Sequence, residues 1–254
     1  MSADVVLETR GLTKAFGGVR VTNDIDFILR AGERRALIGP NGAGKTTFIN
    51  LVAGRLKPNG GTILLGGRDV TSTPESERVK LGIGRTFQIN SLFRDLTVFE
   101  NIFLSASERG GSAWSMLRPA RRSEEIIGQV EKLLSRMGLS GCSEIPVREL
   151  AYGQQRLTEI AVALASQPEV LLLDEPAAGV PSGETAIILD AINALSKDIA
   201  VLLIDHDMDL VFRFADRITV LCQGSVLVEG TPREIADNSQ VRDVYLGTRE
   251  RAHA

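Results

Sequence analysis

Gly39-Pro40-Asn41-Gly42-Ala43-Gly44-Lys45-Thr46 follows the run Arg34 to Ile38 and opens the helical stretch Lys45 to Ala53. Strand, glycine-rich turn and helix in that order let successive backbone N–H groups face an anion, backed by the partial positive charge of a helix start. A plain turn would leave Lys45 unexplained, because a cation is disfavoured at a helix N-terminus. The stretch therefore reads as a phosphate-binding loop: Lys45 meets the β- and γ-phosphates of a nucleotide, and Thr46, with Thr47 beside it, offers a hydroxyl where Mg²⁺ would sit.

Outward from that loop, short β-branched runs alternate with helical spacing, the mark of an α/β architecture with a largely parallel sheet. Val5 to Thr9, Arg34 to Ile38 and Ile63 to Leu65 read as strands between glycine turns and suggest an antiparallel layer near the N-terminus. Val170 to Leu173 and Ala200 to Ile204 are wholly apolar, as buried parallel strands are, and Ile218 to Leu221 and Val226 to Val228 follow them. Over residues 89–151 the strand signal gives way to helical spacing, with Ile126, Ile127, Val130, Leu133, Leu134 and Met137 on one face, Ser123 as expected N-cap and Gly138 as stop. Thr97 with Glu100, and Thr231 with Glu234, are capping boxes. The expected organisation is one domain over 1–254, with a nucleotide-binding core at 1–88 and 152–254 and a helical subdomain at 89–151.

Composition narrows the function classes. With 254 residues, 43% of them hydrophobic, the chain can bury a large core. No apolar run approaches the roughly 18 to 20 residues needed to cross a bilayer. The first ten residues lack a secretory layout, so the cytoplasm is the expected compartment, with Cys142 and Cys222 as free thiols. A net charge of −3 gives no general attraction for phosphate backbones, so nucleic acid is not an expected partner, and the basic cluster Arg118, Arg121 and Arg122 reads as a solvated loop.

Two further strand ends carry chemistry. Val170 to Leu173 runs into Asp174-Glu175-Pro176, and the carboxyl ends of strands in open α/β sheets are where ligands bind. Asp174 is placed to hold Mg²⁺ through water, and Glu175 to accept a proton from, or orient, the water attacking a γ-phosphate. Either acid alone could be a helix cap. His206 follows Ala200 to Ile204 in the same way and could donate to the γ-phosphate, although a lone histidine is usually structural. Gln88, after Ile83 to Phe87, carries both a donor and an acceptor.

Phosphate loop, Gln88, Leu150-Ala151-Tyr152-Gly153-Gln154-Gln155, Asp174-Glu175 and His206 form an order that resembles the ATP-binding cassette family over nearly the whole chain. The resemblance implies a P-loop NTPase (RecA-like) core, and two such domains dimerising head to tail. Ala151, Tyr152, Gly153 and Gln154 of one chain would then meet the ATP held by residues 39–47 of the other, and Gln88 would join Thr46 and Asp174 around Mg²⁺ and the attacking water. It also implies membrane permease subunits docking beside Gln88, where Ile89, Leu92, Phe93, Leu96, Val98 and Phe99 offer apolar surface, with internal packing as the competing use.

The usual family signature reads Leu-Ser-Gly-Gly-Gln, whereas Ala151 and Tyr152 stand at its second and third positions. Losing the serine hydroxyl removes a hydrogen bond to a charged phosphate, on the order of 1.5 to 3 kcal/mol. Pro181 stands where the commonest family pattern has aspartate. Leu-Ala-Tyr-Gly-Gln-Gln-Arg at 150–156, Asp-Glu-Pro-Ala-Ala-Gly at 174–179, His-Asp-Met at 206–208 and the tail Val244-Tyr245-Leu246-Gly247 are similar to branched-chain amino acid importers. That subfamily implies uptake of branched-chain or related hydrophobic amino acids, an external binding protein acting through the permease, and peripheral attachment to the inner membrane. Phe16 matches the aromatic that stacks on adenine, with a place in the core as the alternative. The rivals are a lipopolysaccharide-export cassette, a soluble cassette ATPase acting in DNA repair or translation, and a module that senses ATP without hydrolysing it.

Overall fold

The computed structural model describes residues 4–86, 92–109 and 120–251. The chain divides into two compact units: one takes residues up to Leu81, Leu172–Glu175 and Ser196 onward, the other takes Gly82–Leu171 and Pro176–Leu195.

In the first unit, β1 (Val5–Phe16) and β2 (Val19–Arg30) form an antiparallel hairpin closed by a two-residue turn, with Phe16 opposite Val19 and Thr9 opposite Phe27. The sequence pattern predicts β1 only as far as Thr9 and gives no sign of β2. Both strands continue because Leu7, Leu12, Ile25, Phe27 and Leu29 bury one side of the hairpin, while Asn23, Asp24 and Asp26 and several register shifts mask the alternation. With β4 (Gly60–Leu65) and β5 (Arg68–Asp69) they make a four-stranded antiparallel sheet in the order β2-β1-β4-β5.

The central sheet of this unit holds β3 (Arg34–Ile38) between two parallel neighbours, β8 (Ala200–Ile204) and β9 (Arg217–Cys222), with β10 (Ser225–Gly230) antiparallel outside β9. The register sets Leu37 opposite Ile204 and Ile38 opposite Val220, so the ends of β3 and β8 arrive together. On the far side of β8 comes β7 (Val170–Asp174), whose last residues belong to this unit. Phe27 and Phe48 meet edge to face at 5.3 Å, joining the hairpin to helix α1 (Lys45–Ala53). α1 ends on a buried arginine. Arg78, in α2 (Glu75–Lys80), donates to the carbonyls of Leu51 (2.8 Å) and Val52 (2.6 Å) in the last turn of α1, and to Thr73 and Thr71. The Leu51 carbonyl also accepts from the N–H of the capping Gly54 at 3.1 Å, and the guanidinium adds charged donors to both carbonyls at the open end of the helix.

The second unit is mainly helical: α3 (Val98–Arg109), α4 (Ala120–Arg136), α5 (Tyr152–Ala165) and α6 (Ser182–Asn193). Thr97 and Glu100 form the expected capping box at the start of α3, at 2.8 and 3.1 Å. α4 begins at Ala120 rather than after Ser123, because Ala120, Arg121 and Arg122 are good helix formers and carry the helix one turn further back. Gly138 then ends it in the left-handed conformation, with Leu139 N–H returning to the Leu134 carbonyl at 2.8 Å. Val98, Ile102, Val130, Leu134, Met137, Leu157 and Ile160 form this unit's core. Leu92 and Val98 are therefore spent on packing, while Phe93 stays 62% exposed beside Asn101, whose amide grips the Phe93 and Leu96 carbonyls. β6 (Ile83–Arg85) adjoins the first half of β7 in the sheet order, and the Gly82 carbonyl accepts from the N–H groups of both Glu169 and Val170.

The chain closes with α7 (Met208–Phe214), α8 (Pro232–Asp237), capped as expected by Thr231 and Glu234, and α9 (Ser239–Arg251). Cys142 and Cys222 are free thiols, and no described helix is long and apolar enough to cross a membrane.

Candidate functional site

The loop after β3 is built by close backbone approaches. Gly39 has φ 152 and a side chain on it would stand 2.2 Å from the Leu221 carbonyl oxygen, while Gly44 has φ 101 and would meet the Val21 oxygen at 2.5 Å. Only glycine satisfies both, so the glycines fix the loop between β9 and β2 and point α1 at its mouth. Asn41, Gly42 and Thr46 are exposed, Pro40 and Thr47 are half-buried, and Ala43 is buried beneath them. Lys45 folds back over this loop and donates to the Gly39 carbonyl at 2.7 Å and the Pro40 carbonyl at 3.1 Å. Burial pulls its ammonium below the ordinary lysine range, and the charges of Glu175 and then Asp174 oppose that pull. The two acids thus lie within electrostatic reach of the phosphate-loop lysine.

Asp174 ends β7, and Glu175 follows with a left-handed backbone, φ 48, uncommon for a residue with a side chain. Its N–H donates to the Ile204 carbonyl at 2.8 Å, which ties the end of β7 to the end of β8. At that same end His206 places Nδ1 3.4 Å from Glu175 Oε1, and both side chains remain open to solvent. The turn carrying His206 is fixed by two aspartates to which the sequence pattern assigns no role. Asp205 is buried and its Oδ1 accepts from the His206 and Asp207 N–H groups at 2.8 and 3.0 Å. Asp207 caps α7 by accepting from Asp209 and Leu210. Burial pushes the Asp205 carboxyl above the usual range, and the backbone donors hold it back. Their signal lay in Asp-His-Asp before an apolar helix, an N-cap arrangement.

The structure thus brings Lys45, Asp174, Glu175 and His206 into one electrostatic neighbourhood. Phe16 sits apart from these contacts at the end of β1, 46% exposed, with the Lys14 ammonium 5.2 Å above its ring. Gln88 lies outside the described residues. Tyr245 on α9 is marked in the sequence only by the likeness of Val244-Tyr245-Leu246-Gly247 to a subfamily tail. Burial raises its phenol, and a hydrogen bond with the backbone of Gly39, the first residue of the phosphate loop, draws it back down.

Ala151 to Gln154 belong to the other unit. Ala151 has an extended backbone before α5 and no side-chain oxygen, so the first-turn N–H groups of α5 receive no side-chain cap. Gln154 turns back to accept from the Ala151 N–H at 3.2 Å. Gly153 is buried against α6, where a side chain would stand 2.3 Å from Glu184 Oε2.

A family model described as ABC transporter matches residues 22–178, and one described as branched-chain amino acid ATP-binding cassette transporter matches residues 225–251. The chain is 41% identical to the high-affinity branched-chain amino acid transport ATP-binding protein LivG of Salmonella typhimurium, over 95% of this chain and 98% of that protein. It is 39% identical to the corresponding BraF protein of Pseudomonas aeruginosa, over 95% and 98%. Among solved structures, an ATP-binding cassette of an ABC transporter in its ADP conformation superimposes with a TM-score of 0.85 at 29% identity, covering 96% of this chain and 99% of that one. A cassette dimer in a post-hydrolysis state bound to ADP and phosphate superimposes with a TM-score of 0.75 at 25% identity, covering 89% and 99%. With its phosphate loop, paired acids and strand-end histidine in place, this chain belongs to the ABC transporter family as an ATP-binding cassette.

Proposed function

We propose that this chain hydrolyses ATP to drive uptake of branched-chain or related hydrophobic amino acids through partner permease subunits fed by an external binding protein. It would work on the cytoplasmic face of the inner membrane as one half of a cassette pair, with a second copy or a related chain. The observation that carries the ATPase part is the convergence of Lys45, Asp174, Glu175 and His206 on one end of the sheet. The cargo rests on the family match in the tail and on the LivG and BraF relatives.

In this reading Lys45 leaves the Gly39 and Pro40 carbonyls for the β- and γ-phosphates, a better partner for a desolvated ammonium than two neutral oxygens. Glu175 takes a proton from water as the water oxygen bonds to the γ-phosphorus and the bond to the bridging oxygen breaks, releasing ADP and phosphate. His206 donates to a γ-phosphate oxygen and, through its 3.4 Å approach, keeps the Glu175 carboxylate aimed at the water. The exposed Thr46 hydroxyl and the half-buried Asp174 carboxylate are hard oxygen donors that suit Mg²⁺, with Gln88 completing the set. When bound there, Mg²⁺ neutralises charge developing on the phosphates. Among the described residues no cluster of three or more His, Cys, Asp or Glu could hold a metal by itself, which fits an ion shared with the nucleotide. Phe16 supplies a stacking face for adenine. The open first turn of α5, Ala151 to Gln154, serves the γ-phosphate bound by the second cassette. The exposed Phe93 is one contact for the permease.

Uptake of labelled leucine, isoleucine and valine by cells lacking this chain tests the proposal. Uptake should return with the intact chain and not with Lys45→Ala. Unchanged uptake in the deletion would reject the cargo.

A further inference from the structure

One aromatic side chain reaches from the signature turn of this chain to the loop leaving Glu175. Tyr152, the first residue of α5, donates its phenolic hydrogen to the Ala178 carbonyl at 3.1 Å. Its ring lies against Gly179: a side chain there would begin 3.1 Å from the phenol oxygen and 3.3 and 3.5 Å from two ring carbons. Gly179 also has φ 76, so glycine serves both the turn and the close approach. The ring meets a cation as well. The Arg156 guanidinium sits 5.6 Å from its centroid, one turn along α5, and is fixed by a buried ion pair with Glu159 at 2.7 Å.

These contacts assign the phenol's work. Within Leu150 to Gln155 the only hydroxyl is that of Tyr152, and it is committed to Ala178. The side chain is thus turned toward its own chain's loop, while the backbone of the same turn stays open at the start of α5. The loop it grips follows Glu175 by three residues and runs into α6 through Pro181. Gly153 is pressed on Glu184 of that same helix, so turn and loop are packed at two adjacent points.

We propose that Tyr152 is a positioning residue for ATP hydrolysis: by clasping Ala178 and Gly179 it holds the loop after Glu175 in register with the signature turn, so that nucleotide reaching that turn sets the loop for turnover. This rests on the reading that the first turn of α5 faces ATP held by a second cassette. The link acts after closure of the pair and leaves the chain's own phosphate loop untouched, so it enters kcat and not the affinity for ATP.

The test uses the reconstituted transporter carrying Tyr152→Phe, which keeps the ring and removes the hydroxyl, and Gly179→Ala, which crowds the ring from the loop side. Losing one hydrogen bond of this kind corresponds to about a three- to tenfold fall in kcat, with KM for ATP within about twofold of the intact value. The two changes break one link, so the double variant should lose less than the product of the single losses. Amide exchange supplies a readout that a purely structural role would not move. In a Glu175→Gln background trapped with MgATP, the amides of residues 177–180 should become protected with Tyr152 and fail to with Tyr152→Phe. Intact kcat in Tyr152→Phe, or a rise in KM matching the loss of kcat/KM, would overturn the proposal, the second by placing the phenol on nucleotide. If Glu175→Gln traps no ATP-bound pair with Tyr152 intact, the underlying dimer reading fails, and the proposal with it.

Discussion

His206 Nδ1 lies 3.4 Å from Glu175 Oε1, at the joined ends of β8 and β7. Two groups that lie thirty-one positions apart in the sequence thus share one end of the sheet, because the Glu175 N–H is bonded to Ile204, two residues before His206. The imidazole stands beside the carboxylate that would receive the proton of water in the proposed reaction. His206→Ala should therefore lower kcat about 10- to 100-fold, the range for a hydrogen bond to a charged group, while KM for ATP changes far less. Steady-state hydrolysis checks this, and an unaltered kcat would remove His206 from the mechanism.

Arg78 is buried, and burial lowers its guanidinium to about 10. It endures because it completes the last turn of α1 through the Leu51 and Val52 carbonyls. Arg78→Met should fill similar space yet take the charged donor from the Val52 carbonyl and leave the Leu51 carbonyl to the Gly54 N–H alone, costing about 1 to 3 kcal/mol of stability. Urea unfolding measures it, and a loss below about 0.5 kcal/mol would show the cap to be dispensable.

Glu159 is raised from 4.5 to about 7 by burial, against the hydrogen bond and charge of Arg156. A carboxyl whose folded pKa lies above its unfolded value favours folding fully below about 4.5 and loses that contribution as pH rises toward 7. Replacing it by Gln removes the titration. The stability of Glu159→Gln should therefore gain on the intact chain between pH 5 and 7.5, by on the order of 3 kcal/mol, whatever constant offset the lost ion pair leaves. Parallel melting curves for the two across that range would contradict the assignment.

How much of this was legible in the sequence depended on local signals. The phosphate loop, the paired acids and His206 each sit at the end of a short apolar run, and such runs announce buried strands without any tertiary information. β2 was not legible, since Ile25, Phe27 and Leu29 alternate correctly but follow polar residues and a left-handed Asp24. Arg35, Arg78 and Arg156 could not be read as buried, because an arginine is buried only when distant groups satisfy its donors. Arg35 needs Glu33, Thr219 and the Ile28 carbonyl, a set that only the folded sheet assembles. The use of Tyr152 was hidden for the same reason: its partner carbonyl lies 26 residues away and backbone oxygens leave no mark in a sequence.

The central claim, that this cassette hydrolyses ATP with Glu175 as the group receiving the proton, is tested most directly by replacing that one carboxylate. In the reconstituted transporter Glu175→Gln should bind MgATP with about the intact affinity and lose at least about a hundredfold in phosphate release, the lower range for general acid–base catalysis. Phosphate release at the intact rate would contradict the account.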